Sequence, residues 1–558
     1  MELKELRFLF LFLFAVGIQG MCRTHAACKK THRIAFIADA HVQNVAEHPE
    51  LVRSMESQVQ STRLFNENYF ALVAALEDVV KRGISLVVLP GDLTDDGQLV
   101  NQEAVKRILD EYTRNYGVSF FVTTGNHDPL RPFGTECTSR NFLTSTGRTI
   151  ARTSDATLRG EGIEVDTLLR SAGYKEMMDC YAGFGYFPQP AYRYWETPFS
   201  SYDYDIYDYG RALMESPIDK RRYLLCDSLV ANDASYLVEP VEGLWLLAID
   251  GGVYLPAGMK HGKIQYQGSG LGYNNVLKHK PFLLPWVKKV AEEAKRRNKI
   301  LVAFCHYPLA DFNRGASPLI EAYWGKNKFD LNRVPADSIT EAFMEAGIHI
   351  HVAGHMHVND MSVKIGKDGS SLYNIQVPSI ATCVPAYKIL TISDADDFEV
   401  STILLDSVPG FDRFFPLYEK EYAYTLSSGK KPIWSKEALL SKNYAEFCEC
   451  QFKDLVRVRF IPNDVPPVLL DSLSQPGMRA QLLSDLLLDL YRLHYAGDLV
   501  RKSIPPERLK RYQDMFEEVS RQPVSSEFVI QMAALERIFQ CFLGTEQCGS
   551  GGSQIKIQ

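Results

Sequence analysis

Residues 84–92 of the chain read ISLVVLPGD, an apolar run that stops at Gly91 and Asp92. A continuous apolar run of this length, bounded by a turn residue, is typical of a strand buried on both faces. Similar runs lie at 33–38 and 118–122, and the stretches between the runs have apolar residues at helical spacing. This alternation predicts crossover units with adjacent, mostly parallel strands. The predicted helices cover 64–81 and about 98–116.

Residue types that bind metals follow these three runs and two later ones, at 300–305 and 349–353. In open sheets with parallel strands, ligands bind beyond the carboxyl ends of the strands. We therefore expect these side chains to meet at the carboxyl edge of one sheet. The candidates are Asp39, His41, Asp92, Asn126, His127, Asp128, His306, His355 and His357.

The donor atoms suit two divalent cations held side by side. Carboxylate and amide oxygens together with imidazole nitrogens are accepted by manganese, zinc and iron alike. Two ions about 3.5–4 Å apart need one ligand that reaches both, and the carboxylate of Asp92 suits that bridge. Asp39 and His41 lie two residues apart, so in an extended chain their side chains point to the same side and can meet one ion. His355 and His357 have the same spacing and can share one ion or divide between two.

Each of these blocks alone has an ordinary explanation, since a lone Gly-Asp pair is usually a turn and a lone histidine is usually packed. Five blocks at predicted strand ends are hard to explain in that way. His349 and His351 lie within a predicted strand rather than after it, and we interpret them as structural.

The blocks DAH, GD, GNHD, a lone His and GHMH, in this order, resemble the calcineurin-like metallophosphoesterase superfamily. The resemblance covers about residues 33–407. It implies an α/β fold, a mixed β-sheet sandwich flanked by helices, with a binuclear metal centre. One metal would be bound by Asp39, His41 and His357, the other by Asn126, His306 and His355, with Asp92 as the bridge.

The same resemblance implies a hydrolytic mechanism. A metal-bound hydroxide would attack phosphorus in line, with the ions stabilising the attacking and the leaving oxygens. His127 would be the general acid, or the charge that steadies the leaving oxygen, and Asp128 would orient it. The resemblance leaves the two divalent ions open among manganese, zinc and iron.

One position separates branches of the superfamily. Purple acid phosphatases carry a tyrosine three residues after the bridging aspartate, where it ligates ferric iron. Asp95 stands there in this chain, which disfavours an iron–tyrosinate centre. Residues 91–95, GDLTD, look more like the cyclic-nucleotide phosphodiesterase branch.

Two further segments interrupt or follow the metal-binding part. Residues 130–240 are rich in Tyr, Phe, Pro and Gly, and we interpret them as an inserted cap over the site. Their aromatic side chains could be ordinary packing or a surface that stacks on a base, a sugar ring or a lipid headgroup. Residues 408–548 read as a mainly helical C-terminal domain, and 549–558 as a flexible tail.

The N-terminus is typical of an exported protein. Lys4 and Arg7 precede an apolar run over 8–18, which is short for a bilayer span but right for a signal-peptide core. We expect a signal peptide over 1–22 and a chain that is periplasmic, outer-membrane-associated or secreted. Cys22 would be the modified residue if the signal were of the lipoprotein type, and its lipid would then anchor the chain to a membrane.

Composition narrows the set of possible functions. The chain has 558 residues and a net charge of −7, which offers no footprint for nucleic acid. The expected function is hydrolysis of a small phosphomonoester or phosphodiester. A repair-type nuclease and a non-catalytic binding protein on the same scaffold are the alternatives, and the latter predicts eroded ligands, of which none is missing. The cysteines at 448 and 450 either bridge to those at 541 and 548 or stay free thiols.

Overall fold

A computed structural model describes residues 31–226, 229–260, 263–523 and 525–544. The predicted signal peptide, Cys22 and the predicted tail over 549–558 lie outside the described residues. In chain order the strands are β1 (His32–Phe36), β2 (Leu86–Leu89), β3 (Ser119–Val122), β4 (Thr138–Leu143), β5 (Thr149–Thr153), β6 (Ile163–Val165), β7 (Tyr194–Glu196), β8 (Arg222–Cys226), β9 (Leu229–Asn232), β10 (Tyr236–Val241), β11 (Leu244–Ile249), β12 (Leu255–Lys260), β13 (Lys263–Gln267), β14 (Ile300–Cys305), β15 (Ile350–Ala353), β16 (Asp360–Ile365), β17 (Ser371–Gln376), β18 (Ala386–Asp394) and β19 (Asp397–Leu404).

The helices connect and flank these strands. In chain order they are α1 (Met55–Val59), α2 (Asn68–Lys81), α3 (Leu99–Tyr116), α4 (Tyr174–Cys180), α5 (Tyr209–Glu215), α6 (Tyr273–His279), α7 (Leu283–Arg296), α8 (Ser317–Tyr323), α9 (Asp337–Glu345), α10 (Phe415–Ser427), α11 (Tyr444–Leu455), α12 (Ile461–Asp464), α13 (Pro467–Leu473), α14 (Met478–Ala496), α15 (Asp498–Arg501), α16 (Pro506–Ser520) and α17 (Glu527–Leu543).

The first sheet has five strands in the order β19-β18-β1-β2-β3. β1, β2 and β3 are parallel, as the alternation of strands and helices predicts, and β18 and β19 complete the sheet in antiparallel pairs. Helix α2 connects β1 to β2 and buries Leu72, Leu76 and Val79, whose spacing of four and three residues gives it one apolar face.

Helix α2 begins at Asn68, later than the predicted start at residue 64. The preceding residues are held by side chains instead of helical bonds. The backbone N–H of Phe65 donates to Gln58, and the Asn66 amide exchanges hydrogen bonds with the backbone of Arg53. These backbone and side-chain contacts fix a turn where the apolar spacing alone suggests a helix.

The second sheet has seven strands in the order β16-β17-β15-β14-β11-β10-β7. β11, β14, β15 and β17 are parallel neighbours. Short alternating runs at 371–377, 387–392 and 398–405 predict antiparallel strands that close the domain. However, β17 pairs parallel with β15 and antiparallel only with β16. The reason is the tight turn at Gly369 (φ 84°), which reverses the chain after the edge strand β16 and inserts β17 beside β15.

The two sheets share one buried core, to which Phe36 and Val88 of the first sheet and Leu246 and Phe304 of the second belong. A direct polar link also joins them, because the Tyr236 hydroxyl of β10 donates to the Val122 carbonyl of β3 (2.8 Å). The predicted fold class, a mixed β-sheet sandwich flanked by helices with a helical C-terminal region, is confirmed.

The stretch predicted as a cap, 130–240, contributes two small separate sheets and also two strands of the seven-stranded sheet. β4, β5 and β6 form a small sheet, and β8 and β9 form a hairpin. β7 and β10, however, belong to the seven-stranded sheet. Tyr194 of β7 stacks on Trp245 of β11 with ring centroids 5.7 Å apart, so this part of the aromatic content is core packing. The domain boundaries themselves stay predictions.

The C-terminal helices α10 and α11 contact α1. The Glu421 carboxylate of α10 accepts the backbone N–H groups of Met55 and Glu56. Cys448 and Cys450 of α11 are free thiols, so a bridge from them to the cysteines near the C-terminus is excluded. No helix in the described ranges is long and apolar enough to cross a membrane.

Glu67 makes the stability of this fold depend on pH. Its buried carboxylate accepts a hydrogen bond from the Tyr418 hydroxyl (2.6 Å). Burial raises the pKa of Glu67 from 4.5 to about 7, although Tyr418 opposes the rise. Because the folded pKa lies above the unfolded one, the folded chain keeps this proton where the unfolded chain has released it. The contribution of Glu67 to the free energy of unfolding is therefore highest below the unfolded pKa and falls by about 3 kcal/mol as the pH rises through the folded pKa.

Replacing Glu67 by Gln is expected to flatten this dependence. We expect the free energy of unfolding, measured in urea between about pH 5 and pH 8, to fall less in Glu67→Gln than in the original chain. Glu77→Gln, a change on the exposed side of the same helix, is the matched control and should keep the original slope. An unchanged slope in Glu67→Gln would contradict the assignment.

Candidate metal centre

The sequence predicts that all the candidate ligands lie at the edge of one sheet. In the structure they come from two sheets. Asp39, Asp92 and Asn126 follow β1, β2 and β3 of the first sheet, whereas His306 and His355 follow β14 and β15 of the second. The carboxyl ends of both sets of parallel strands meet at this place. The runs that precede the ligands have the same apolar pattern in both sheets, so the pattern could not assign them to different sheets.

Asp39, His41 and His357 form the first cluster, and all three are buried. The Nε2 atoms of His41 and His357 are 3.2 Å apart, and Nε2 of His357 is 3.3 Å from Oδ1 of Asp39. The candidate ligand atoms of the cluster all lie within 4.8 Å of one another, which is the arrangement expected around one metal ion.

Asp92, His306 and His355 form the second cluster. Nε2 of His306 is 3.2 Å from Oδ2 of Asp92 and 3.0 Å from Nδ1 of His355. Asn126 joins this cluster through its amide oxygen, which lies 3.1 Å from the same His306 nitrogen. The predicted set for the second metal is thus brought together.

Asp92 lies between the clusters. Its Oδ2 atom is 3.2 Å from Nε2 of His306 in the second cluster and 3.8 Å from Nε2 of His41 in the first. One carboxylate oxygen therefore faces both sets of imidazoles, as the predicted bridge requires.

The outward nitrogens of three of the histidines face backbone carbonyls. Nδ1 of His306 is 3.0 Å from the Pro90 oxygen, and Nε2 of His355 is 3.1 Å from the Gly270 oxygen. Nδ1 of His357 is 3.3 Å from the oxygen of Thr62. Each of these nitrogens donates its proton outward, so the inward nitrogen offers a lone pair. A hydrogen bond from the outward nitrogen to a carbonyl oxygen is usual for metal-binding histidines.

The donor set therefore fits two cations. Inward lone pairs of His306 and His355 face each other at 3.0 Å, an arrangement that a cation between them would stabilise. Burial lowers the pKa of His306, but the charge of Asp92 outweighs it and raises the pKa to about 9. A proton and a metal ion thus compete for the same nitrogen, as is general for metal sites.

Two glycines allow the ligand loops to approach so closely. A Cβ atom on Gly125 would lie 2.0 Å from Oδ1 of Asp92, and one on Gly354 would lie 2.3 Å from Oδ2 of Asp39. Only glycine leaves room for the carboxylates at these positions. The glycines that open the GNHD and GHMH blocks are explained by this contact. The backbone N–H of His355 also donates to both oxygens of Asp39, which ties the two sheets together at the site.

Ligand residues from three strand ends have left-handed backbone conformations that L-residues seldom adopt. Such strain is concentrated at functional sites, where the surrounding structure enforces it. The φ angles are 50° at Asp39, 43° at His41, 49° at Asp92, 70° at His355 and 58° at His357.

His127 lies next to both clusters but is oriented by Asp96. Nδ1 of His127 is 2.5 Å from Oδ1 of Asp96, and its ring centroid is 5.1 Å from that of His41. The backbone N–H of His127 donates to Oδ1 of Asp92 (2.8 Å). With Nδ1 held in this way and 22% of its side chain exposed, His127 can present Nε2 to a bound substrate.

Asp128, which the sequence predicts to orient His127, contacts the loop of Asp92 in the structure. Oδ2 of Asp128 accepts the backbone N–H groups of Leu93 (2.9 Å) and Thr94 (3.2 Å), and the side chain is buried. These N–H groups follow Asp92 in a turn and need an acceptor, since buried backbone donors are almost always paired. Asp128 therefore fixes the loop of Asp92, and its role toward His127 stays a prediction.

Sequence reasoning missed Asp96 and Arg63. Nη2 of Arg63 donates to Oδ1 of Asp95 (2.7 Å) and lies 3.3 Å from Nδ1 of His127. Arg53 donates to the other oxygen of Asp95 (2.9 Å), so that carboxylate holds two guanidinium groups beside the site. Two successive acidic residues after the Gly-Asp block were the available signal for Asp96. Arg63 lies in no motif, and only the tertiary contact reveals it.

His349 and His351 are structural, as predicted. Nδ1 of His351 is 2.9 Å from the Asn374 side chain, and Nε2 is 3.0 Å from the Tyr273 hydroxyl. His349 contacts the Ser371 carbonyl on the neighbouring strand.

One family of known proteins matches the part of the chain that contains the first ligands. Residues 32–196 match the family of calcineurin-like phosphoesterases. No curated protein matches the chain in sequence. Among solved structures, the chain is similar to a dimetal phosphatase from Danio rerio, with 14% identity, a TM-score of 0.33 and coverage of 66% of this chain and 95% of that one. It is also similar to GAP50, the anchor in the inner membrane complex of Plasmodium, with 11% identity, a TM-score of 0.28 and coverage of 67% and 84%.

The family match begins at β1 and includes Asp39, His41, Asp92 and Asn126, while the second sheet supplies the remaining histidines of the two clusters. Residues 32–196 are thus similar to the calcineurin-like phosphoesterases, and this match together with the two clusters supports a metal-dependent hydrolase of phosphoesters.

Proposed function

We propose that the chain is an exported hydrolase of small phosphomonoesters or phosphodiesters, in which Asp92 joins two metal-binding clusters and His127 protonates the leaving oxygen. The observation that carries the proposal is the position of the Asp92 carboxylate, 3.8 Å from Nε2 of His41 and 3.2 Å from Nε2 of His306. When bound, two divalent ions activate water and neutralise charge on the phosphoryl oxygens. The carboxylate fixes the distance between the two clusters in which those ions would be held.

His127 is the group that can deliver a proton. Asp96 accepts the Nδ1 proton of His127, which fixes the ring and leaves Nε2 for the substrate side. A general acid must hold its proton within hydrogen-bond reach of the leaving oxygen, and the fixed ring satisfies this condition. Arg63 adds a positive charge near Nδ1 of the ring, beside the site that would bind an anionic ester.

A small substrate is supported by the burial of the ligands. The side chains of His355 and His357 are almost fully buried, so only a narrow phosphoryl group can approach them. The net charge of −7 gives no support to the binding of duplex nucleic acid. Export is supported by the apolar run at 8–18 and its basic flank, which have the pattern of a signal peptide.

A panel of substrates tests the proposal. The chain, reconstituted in turn with manganese, zinc and iron, is assayed on nucleotides, cyclic nucleotides, sugar phosphates and phospholipid headgroups. We expect metal-dependent hydrolysis that favours one of these classes by about tenfold or more, which corresponds to 1.4 kcal/mol of differential transition-state binding. Hydrolysis without metal, or metal binding with no hydrolysis of any class, would contradict the proposal.

A further inference from the structure

The C-terminal helices lie outside the part of the chain that supplies the ligands. The ligands of both clusters come from residues 39–357, and α10, the first of these helices, begins at Phe415. Two of the helices nevertheless reach the backbone on both sides of one ligand, His357. One side is the carbonyl of Thr62, which faces Nδ1 of His357 at 3.3 Å. The other side is the loop that follows His357 and ends at Asn359.

Gln451 of α11 holds the turn that leads to Thr62. Its side-chain amide donates to the carbonyls of Gln58 (2.7 Å) and Ser61 (3.1 Å), and the side chain is fully buried. One amide group thus bridges two carbonyls three residues apart, directly before Thr62. The position of the carbonyl that faces His357 therefore depends on a side chain of the C-terminal helices.

The end of α14 holds the loop on the other side. The backbone N–H of Asn359 donates to the Tyr495 carbonyl (2.7 Å), and its side-chain amide donates to the Ala496 carbonyl (3.1 Å). Carbonyls in the last turn of a helix have no partner within the helix, so they are available for this contact. Gly497 follows with a φ of 56°, and a Cβ atom there would lie 2.8 Å from the Asn359 oxygen. The loop after His357 therefore packs directly against the helix end.

His357 has a conformation that needs such support. Its φ of 58° is in the left-handed region, which L-residues seldom adopt. A strained residue of this kind persists only where the surrounding structure enforces its conformation. Nε2 of His357 must also stay near Nε2 of His41 (3.2 Å) and Oδ1 of Asp39 (3.3 Å) for one ion to meet all three. Contacts on both sides of the residue meet this requirement.

We propose that the C-terminal helices are part of the metal centre, with Gln451 and Gly497 as positioning residues for His357. The outward hydrogen bond of a metal-binding histidine orients its ring, and loss of such a partner lowers metal affinity about 10- to 100-fold. Here the partner is the carbonyl after a turn that Gln451 bridges. The inference rests on the proposed function only in that an ion is bound by Asp39, His41 and His357.

Metal binding by the full-length chain tests the role of Gln451. Gln451→Met removes the amide donor and keeps a side chain of similar length. The chain is titrated with Mn²⁺, and the electron paramagnetic resonance signal of the free ion shows how much is bound. We expect two binding steps in the original chain. In Gln451→Met the dissociation constant of one step should rise about tenfold or more, while that of the other changes by less than about twofold.

Gln531→Met is the matched control. Gln531 of α17 also donates to a carbonyl of the preceding part of the chain, that of Tyr323 in α8, which is not a candidate ligand. Both variants lose a buried side-chain hydrogen bond of a C-terminal helix, so their effects on stability should be similar. Only Gln451→Met should change a dissociation constant.

A double-mutant cycle shows whether Gln451 acts through His357. His357→Ala alone should weaken the same binding step, and adding Gln451→Met to it should weaken that step further by less than about twofold. Four outcomes would each overturn the proposal. They are full additivity of the two changes, equal weakening of both steps, an unchanged affinity in Gln451→Met, and the same loss in Gln531→Met.

Gly497→Ala tests the contact at the end of α14. The added Cβ atom would press on the Asn359 carbonyl, so we expect the same binding step to weaken about tenfold. Gly477→Ala, at the start of the same helix, is its control. Gly477 has a φ of 131°, and a Cβ atom there would meet no atom of the described residues within 4 Å. Equal weakening by the two glycine variants would overturn the role of α14. Absence of hydrolysis with both ions bound would instead contradict only the proposed function.

Discussion

Asp92→Asn is expected to lower kcat on bis(p-nitrophenyl) phosphate by about 1,000-fold, because stabilisation by metal charge contributes several kcal/mol. The asparagine keeps the shape of the side chain but removes the charge that faces His41 and His306. The metal content, measured by mass spectrometry after gel filtration, should fall from two ions per chain to one or none. Activity that survives this change would rule out a two-metal site bridged by Asp92.

Asp489→Asn is the control for the loss of a buried carboxylate. Asp489 is as buried as Asp92 but lies in α14, where it accepts from Arg492, Arg508 and Tyr512. This variant is expected to lose thermal stability, because it weakens a buried ion pair. It should nevertheless keep two metal ions per chain. Loss of metal in both variants would show that the effect of Asp92→Asn is general destabilisation.

His127→Asn is expected to reduce kcat by about 100- to 10,000-fold on alkyl phosphoesters, whose leaving oxygen needs a proton. The loss should be much smaller on p-nitrophenyl esters, because that leaving group departs without protonation. Metal content should not change, since His127 contacts Asp92 only through its backbone N–H. The measurement is the dependence of log kcat on the pKa of the leaving group.

Variants of Asp96 and Asp128 distinguish the residue that orients His127 from the residue that supports the loop of Asp92. Asp96→Asn should show the same leaving-group dependence as His127→Asn, but to a smaller extent, because it removes the partner of Nδ1. Asp128→Asn should lower stability without that dependence, since Asp128 contacts the backbone of Leu93 and Thr94. A leaving-group effect confined to Asp128→Asn would reverse the two assignments.

The sequence predicts the first half of the fold well, because there each element has its own periodic signal. β1, β2 and β3 lie within two residues of the predicted runs, and the ligand blocks follow them as expected. The parallel order comes from the crossover connections, whose handedness and direction are strongly restricted. Because the ends of neighbouring parallel strands lie close together, metal-binding residues at these ends are sufficient to predict a metal site.

The sequence does not predict what depends on contacts between distant elements. β7 is three residues long in an aromatic-rich stretch, too short for an alternating pattern, so its place in the second sheet could not be seen. Arg63 reaches His127 from a loop whose course is set by Gln58, Asn66 and Arg53. Which of Asp96 and Asp128 orients His127 depends on the N–H groups that each carboxylate contacts. These contacts are set by the tertiary structure.

The left-handed backbone at the ligands affects which mutations such a chain can accumulate during evolution. Each of these conformations costs about 1–2 kcal/mol for a residue other than glycine. Asp39→Gly or His355→Gly would relieve that strain while removing a ligand. Relief of this strain thus favours mutation toward glycine, whereas the need for metal opposes it, and at Asp39 so does the loss of the acceptor of the His355 N–H. A descendant released from catalysis is therefore expected to lose its ligands first at positive-φ positions other than Asp39.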